Sequence, residues 1–308
     1  MNGGFAERLQ QAVIRTANPV LVGLDPRFPQ LPAALRDPVA ADSPARIAAA
    51  LTDFCRGIID VVAPLVPAVK PQAAFFEQYG AAGMQSLANV IQYAHDKGLI
   101  VIIDGKRNDI GSTATAYAHA YLGSGRARVW GGDALTVSPY LGHDSLTPFV
   151  EVATERDAGI FVLVKTSNPG GGMFQDLVAD ELPLYRHVAR LVQQLAEQTR
   201  SASGYGAVGA VVGATYPAQL AELRGAMPNA WFLVPGFGAQ GGGAADVRGA
   251  FDDQGLGAIV NSSRGIIFAH ARPEYRETFG DARWQQAVEA ATRSMIDQLR
   301  AETPAGQL

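Results

Sequence analysis

Leu99-Ile100-Val101-Ile102-Ile103-Asp104-Gly105-Lys106-Arg107-Asn108-Asp109 is the stretch whose reading decides the fold. A continuous apolar run, rich in β-branched residues, ends abruptly in charge. Such a run fits a parallel strand buried on both faces. On its N-terminal side Met84, Leu87, Val90, Ile91 and Ala94 recur at three- and four-residue spacing, which is one face of a helix. Lys97 suits the negative end of that helix's dipole, and Gly98 suits the left-handed residue that closes it. Helix, cap and buried strand therefore follow one another directly.

The same alternation runs through the chain. Strands are predicted at Val20–Leu24, Pro67–Lys70, Ile100–Asp104, Ala134–Ser138, Gly159–Lys165, Ala207–Gly213, Trp231–Pro235 and Ala258–Asn261. Helical patterns fall at Pro44–Val62, Thr113–Leu122, Ser145–Asp157, Glu181–Gln198, Pro217–Met227 and Ala282–Arg300. Eight strands alternating with helices predict an α/β fold, a single (β/α)₈ TIM barrel. A doubly wound open sheet usually stops earlier. The 308 residues leave room for it, since such barrels take about 250 residues. No Pro/Gly/Ser-rich linker divides the chain, so residues 1–308 read as one domain with its core at 18–300. The segment Gln30–Asp42 reads as an extended loop, and residues 303–308 as a loose tail. Glycines cluster at Gly123–Gly132, Gly170–Gly172 and Gly236–Gly243, positions read as following strands.

Composition narrows the function. With 48% hydrophobic residues the chain can bury a sizeable core. The net charge of −4 argues against a general nucleic-acid binder, though not against a local phosphate pocket. A single cysteine, Cys55, excludes an intramolecular disulfide and any cysteine-based metal site. It lies in the pattern Leu51, Phe54, Cys55, Ile58, Ile59 and reads as helix core. No apolar run approaches a membrane span, and Met1–Arg15 lacks the apolar segment of a signal peptide. The expectation is a cytoplasmic protein. The five histidines show no metal-ligand spacing, so no metal is expected.

In a parallel barrel the chemistry sits at the C-terminal strand ends. Three neighbouring strands end in charge: Asp25, Lys70, and the pair Asp104 and Lys106. Alternation along a strand points Asp104 and Lys106 the same way. An isolated pair would read as a salt bridge. Three charged ends together are harder to explain so, because buried charge is costly unless it is used or paired. Asp109 lies further on, in the loop. Strand seven runs into Pro235-Gly-Phe-Gly-Ala-Gln-Gly-Gly-Gly243, and strand eight into Asn261-Ser-Ser-Arg264-Gly265. Glycines admit a ligand close to the backbone, and Arg264 offers a planar fork to phosphate oxygens. Thr166, Ser167 and Asn168 close strand five and could read a polar heterocycle, or simply cap a turn.

Together these motifs resemble the orotidine 5′-phosphate decarboxylases, in their longer subfamily. The resemblance rests on Leu24-Asp25-Pro26, Lys70, Asp104-x-Lys106-x-x-Asp109-Ile110, Thr166-Ser167-Asn168-Pro169, Pro235-Gly-Phe-Gly-Ala-Gln-Gly and Ser263-Arg264-Gly265, and covers about residues 18–300. Gly111-Ser112-Thr113 departs from the Ile-Pro-x-Thr form of shorter members. The resemblance implies a cofactor-free conversion of orotidine 5′-phosphate to UMP and CO₂, in pyrimidine synthesis. It implies a homodimer in which Lys70, Asp104 and Lys106 of one chain meet Asp109 and Thr113 of its partner. It assigns proton delivery to Lys106, ribose contacts to Asp25 and Gln72, and the pyrimidine edge to Ser167. Phosphate falls to Gly238, Gln240 and Arg264, and Ser263 is a further substrate-binding residue.

Three other readings make distinct demands. A Mg²⁺-dependent sugar-phosphate decarboxylase or synthase of the same fold needs an acidic metal ligand near strand two, where Glu77 is the local candidate. A non-catalytic nucleotide-binding barrel would leave the charge array unused. A Schiff-base aldolase would use Lys70 or Lys165.

Overall fold

A computed structural model describes residues 3–39, 42–123, 129–238 and 242–308. Eight parallel strands close a barrel. They are β1 (Val20–Leu24), β2 (Ala68–Pro71), β3 (Ile100–Arg107), β4 (Ala134–Val137), β5 (Gly159–Lys165), β6 (Val208–Val212), β7 (Phe232–Val234) and β8 (Ala258–Ser262). Each pairs with its neighbours in chain order, and β1 closes on β8 through Val20 opposite Val260. The predicted TIM barrel is the observed fold.

Strand alternation sorts the core into two layers. Val20, Val22, Val101, Ile103, Leu135 and Val137 pack outward against the helices. Leu21, Ala68, Ile100, Ile102, Ala134, Phe161, Leu233 and Ile259 fill the barrel interior. Continuing the inward parity toward the C-terminal strand ends reaches Lys70, Asp104, Thr136 and Asn261. The charged mouth is thus the top layer of the same stack.

The outer helices are α2 (Pro44–Val62), α3 (Gly80–Asp96), α4 (Gly111–Tyr121), α5 (His143–Glu155), α6 (Leu184–Gln198), α7 (Pro217–Ala226) and α8 (Trp284–Glu302). A 3₁₀ turn, Ala245–Ala250, stands between β7 and β8. Helix α3 closes as its sequence indicates: Gly98 has φ +78°, and the Leu99 amide returns to the Ala94 carbonyl. Cys55 is buried in α2, and burial raises its thiol pKa well above the usual range.

Several expectations are corrected. The N-terminus, expected only to lack a signal peptide, forms a helix, α1 (Phe5–Thr16). Its buried face of Phe5, Leu9, Ala12 and Val13 plugs the barrel floor, with Phe5 edge-on to Phe161 at 5.9 Å. Arg8 on that helix pairs with Asp133 at 2.7 Å, and His95 reaches the other carboxylate oxygen at 3.0 Å. The span Gln30–Asp42 is not simply extended; Ala33–Arg36 is a helical turn, and residues 40–41 fall outside the description. Residues 303–308 are not loose. Pro304–Gln307 makes a 3₁₀ turn capped by the Thr303 hydroxyl, and Ala305 is buried. Helix α6 begins at Leu184, not Glu181. Asp180 and Glu181 both take positive φ and turn a short antiparallel hairpin, Val178–Ala179 with Leu182–Pro183. Gly123 follows α4 rather than a strand, and residues 124–128 lie outside the description. Among the described residues, no helix is long and apolar enough to cross a membrane.

Candidate active site

The C-terminal mouth of the barrel opens into a cavity of about 590 Å³. Asp25, Lys70, Gln72, Asp104, Lys106 and Thr136 line it, as do Ser167, Asn261, Ser263 and Arg264. Eight of the twelve residues singled out from sequence therefore share the cavity: Asp25, Lys70, Gln72, Asp104, Lys106, Ser167, Ser263 and Arg264.

Asp104 is the hub. Its Oδ2 accepts from Lys70 Nζ at 2.9 Å and from Gln72 Nε2 at 2.9 Å. Its Oδ1 accepts from Lys106 Nζ at 2.6 Å and from the Thr136 hydroxyl at 2.9 Å. Burial pushes the carboxyl pKa up, but the charges and hydrogen bonds of Lys70 and Lys106 outweigh it. The net result holds Asp104 well below the usual carboxylate range. Burial likewise pushes Lys70 down, while Asp104 and Asp25 more than restore it, so its pKa is raised. Both groups stand charged in a site that is 4% exposed at Lys70 and 7% at Asp104.

Lys106 reaches Asp104 by an unexpected route. Simple alternation put the two on one side, but the β3–β4 register shifts between Ile103 and Arg107. Lys106 takes φ +45°, a left-handed conformation rare for a side chain of this kind. Its side chain remains about half exposed, at 48%, and lines the cavity.

Asp25 carries a buried Oδ1 with no protein partner, as do Asn261 Oδ1 and Ser263 Oγ. These acceptors suit ligand hydroxyls or amides. Gly23 is demanded by the same corner. A Cβ there would stand 2.7 Å from Ser263 Cβ and 3.1 Å from Asn261 Oδ1.

Arg264 opens the helical turn Arg264–Ile267 and lines the main cavity. With Phe237 it also lines an adjoining cavity of about 650 Å³, where Gly238 lies at φ +73°. Gln240 falls outside the described residues. Asp109 and Thr113 do not line the cavity of their own chain. Asp109 Oδ1 accepts the Ile110 amide at 2.8 Å, and Thr113 sits exposed in the first turn of α4.

Sequence reading missed Thr136, Phe174 and Gln175. Thr136 was visible as the polar residue in Ala-Leu-Thr-Val, on the inward parity. Gln175 had no such signal. It reaches the mouth because the loop after β5 folds back, where Gln175 accepts from the Thr166 amide at 3.0 Å.

The geometry also bears on the rival chemistries. Glu77 is engaged by Arg107 and Tyr121 and is not among the cavity-lining residues. Lys165 is buried against Asp176 and lies 5.2 Å and 4.9 Å from the Tyr185 and Tyr216 ring centres. An imine-forming lysine needs a neutral amine; Lys70 is held as an ammonium.

Residues 38–277 match the model of the orotidine 5′-phosphate decarboxylase / HUMPS family. The chain belongs to that family. An orotidine 5′-phosphate decarboxylase of Rhodopirellula baltica is 62% identical over 96% of this chain and 99% of its own. One from Caldicellulosiruptor bescii is 40% identical over 86% of this chain and 90% of its own. The solved OMP decarboxylase of Leishmania donovani superposes with TM-score 0.74 at 32% identity, covering 97% of this chain and 98% of that one.

Proposed function

We infer that this family member is an orotidine 5′-phosphate decarboxylase, a carboxy-lyase that makes UMP and CO₂. The observation that carries the reading is the Lys70–Asp104–Lys106 array at the barrel mouth. Losing CO₂ from C6 of the pyrimidine breaks a C–C bond and leaves the electron pair in the ring plane. The ring π system cannot delocalise that pair. Stabilisation therefore has to come from fixed charges beside C6. Lys106 supplies the ammonium, and its proton passes to C6 as the carbanion collapses. The neutral amine then regains a proton from solvent. Asp104 faces the substrate carboxylate and holds Lys106 in place. Lys70 keeps Asp104 ionised.

Asp25 and Gln72 take the ribose, Ser167 the pyrimidine edge, and Ser263, Arg264, Gly238 and Gln240 the phosphate. Phosphate contacts remote from C6 supply binding energy that orders the reacting end. No cofactor takes part in this scheme.

The proposal extends to a homodimer, with residues 18–300 of each chain acting as one barrel unit. Asp109 and Thr113 would complete the site of the partner chain. Ile110, next to Asp109 in sequence, and Tyr117, one helical turn past Thr113, support this, because both are exposed apolar side chains. The reaction is assigned to the cytoplasm.

The test is ultraviolet loss of orotidine 5′-phosphate by the purified chain in excess EDTA, with UMP confirmed by chromatography. Turnover is expected without added metal. Folded protein that binds UMP but makes none would overturn the reading in favour of a binding barrel. Turnover of a sugar phosphate that requires Mg²⁺ would favour the metal-dependent relatives.

A further inference from the structure

Thr136 joins the array through Asp104 and the backbone of Lys106. It is 1% exposed, on the inward face of β4. Its Oγ1 lies 3.0 Å from the Gly105 amide, 2.9 Å from the Lys106 amide and 2.9 Å from Asp104 Oδ1. Two of these partners are backbone N–H groups and can only donate. The hydroxyl must therefore spend both acceptor sites on them and send its one proton to Asp104. Its hydrogen-bonding capacity is then full. Although Thr136 lines the cavity, it has nothing left to offer a ligand.

The placement of these bonds is informative. They fall where β3 loses register with β4, and where Lys106 adopts its left-handed backbone. A non-glycine residue held there is strained unless its surroundings fix it. The two amides that Thr136 accepts are those of the strained residue and the one before it. Two donors into one hydroxyl also polarise its O–H toward the carboxylate. One side chain thus ties the backbone of Lys106 to the orientation of Asp104.

We propose that Thr136 is a positioning residue that sets the Asp104–Lys106 geometry, acting on the chemical step rather than on nucleotide binding. The kinetic part of this inference rests on the decarboxylase reading; the structural part does not.

Thr136→Val keeps the shape and deletes the hydroxyl. Thr136→Ser restores it. The expected result for Thr136→Val is a kcat lower by about ten- to a hundredfold, with KM and UMP affinity within about threefold of wild type. Thr136→Ser should recover most of kcat. Hydrogen–deuterium exchange of the peptide spanning Asp104–Arg107 should quicken in Thr136→Val and return in Thr136→Ser. Unchanged kcat in folded Thr136→Val overturns the proposal. So does a rise in KM alone, or a kcat loss that serine does not recover. If wild type makes no UMP, the decarboxylase reading fails. The exchange measurement then decides the structural part on its own: equal protection in all three proteins overturns it.

Discussion

At the residue scale the site turns on one carboxylate with four donors. Asp104 accepts from Lys70, Gln72, Lys106 and Thr136, which fills both of its oxygens. Because its folded pKa is depressed, Asp104 takes up its proton later in the folded state than in the unfolded chain. Its contribution to stability is complete above the unfolded value of about 3.9 and is lost as pH falls through the folded value. Each such group steepens the loss by up to about 1.4 kcal/mol per pH unit below that point. Asp104→Asn should therefore flatten the dependence of unfolding free energy on pH below about pH 3.9. Denaturant melts of both proteins at several acid pH values check this. Equal slopes would contradict it. The charged residues of this hub were legible because each terminates an apolar run. Thr136 stood out as a polar residue on the inward parity, but the bulge at Lys106 that it meets was not legible, because register shifts depend on pairing between strands that are distant in sequence.

At the element scale, legibility followed burial. Val20–Leu24, Gly159–Lys165 and Pro44–Val62 begin and end where the hydrophobic pattern places them. Strands buried on both faces carry an unbroken apolar signal, and α2 carries a serine cap before Pro44. Elements held by long-range contacts were harder to see. The N-terminal helix owes its place to the barrel floor and to Asp133, far along the chain. The hairpin after β5 has only two residues in each strand, too few for a periodic signal. The C-terminal 3₁₀ turn is read from its packing: a Cβ at Gly255 would meet the Pro304 carbonyl at 2.5 Å.

At the scale of the whole molecule, the fold brings the charged ends of β2 and β3 to one mouth and leaves Asp109 outside it. Within one chain the site lacks a residue that the family resemblance assigns to it. The proposed dimer resolves this, and mixing tests it. Asp109→Ala and Lys106→Ala, each inactive alone, should regain activity when combined. A mixed dimer contains one site with both lesions and one intact. Full exchange of equal amounts predicts about a quarter of wild-type activity. No recovery, with subunit exchange shown independently, would contradict the shared site.

The most direct test of the central claim is a parallel assay of turnover and UMP binding in wild type and Lys106→Ala. If the Lys106 ammonium stabilises the carbanion and delivers the proton, the variant should lose about 10⁴-fold or more in kcat. It should still fold and bind UMP. A Lys106→Ala protein that turns over orotidine 5′-phosphate at a rate near that of wild type would contradict the claim.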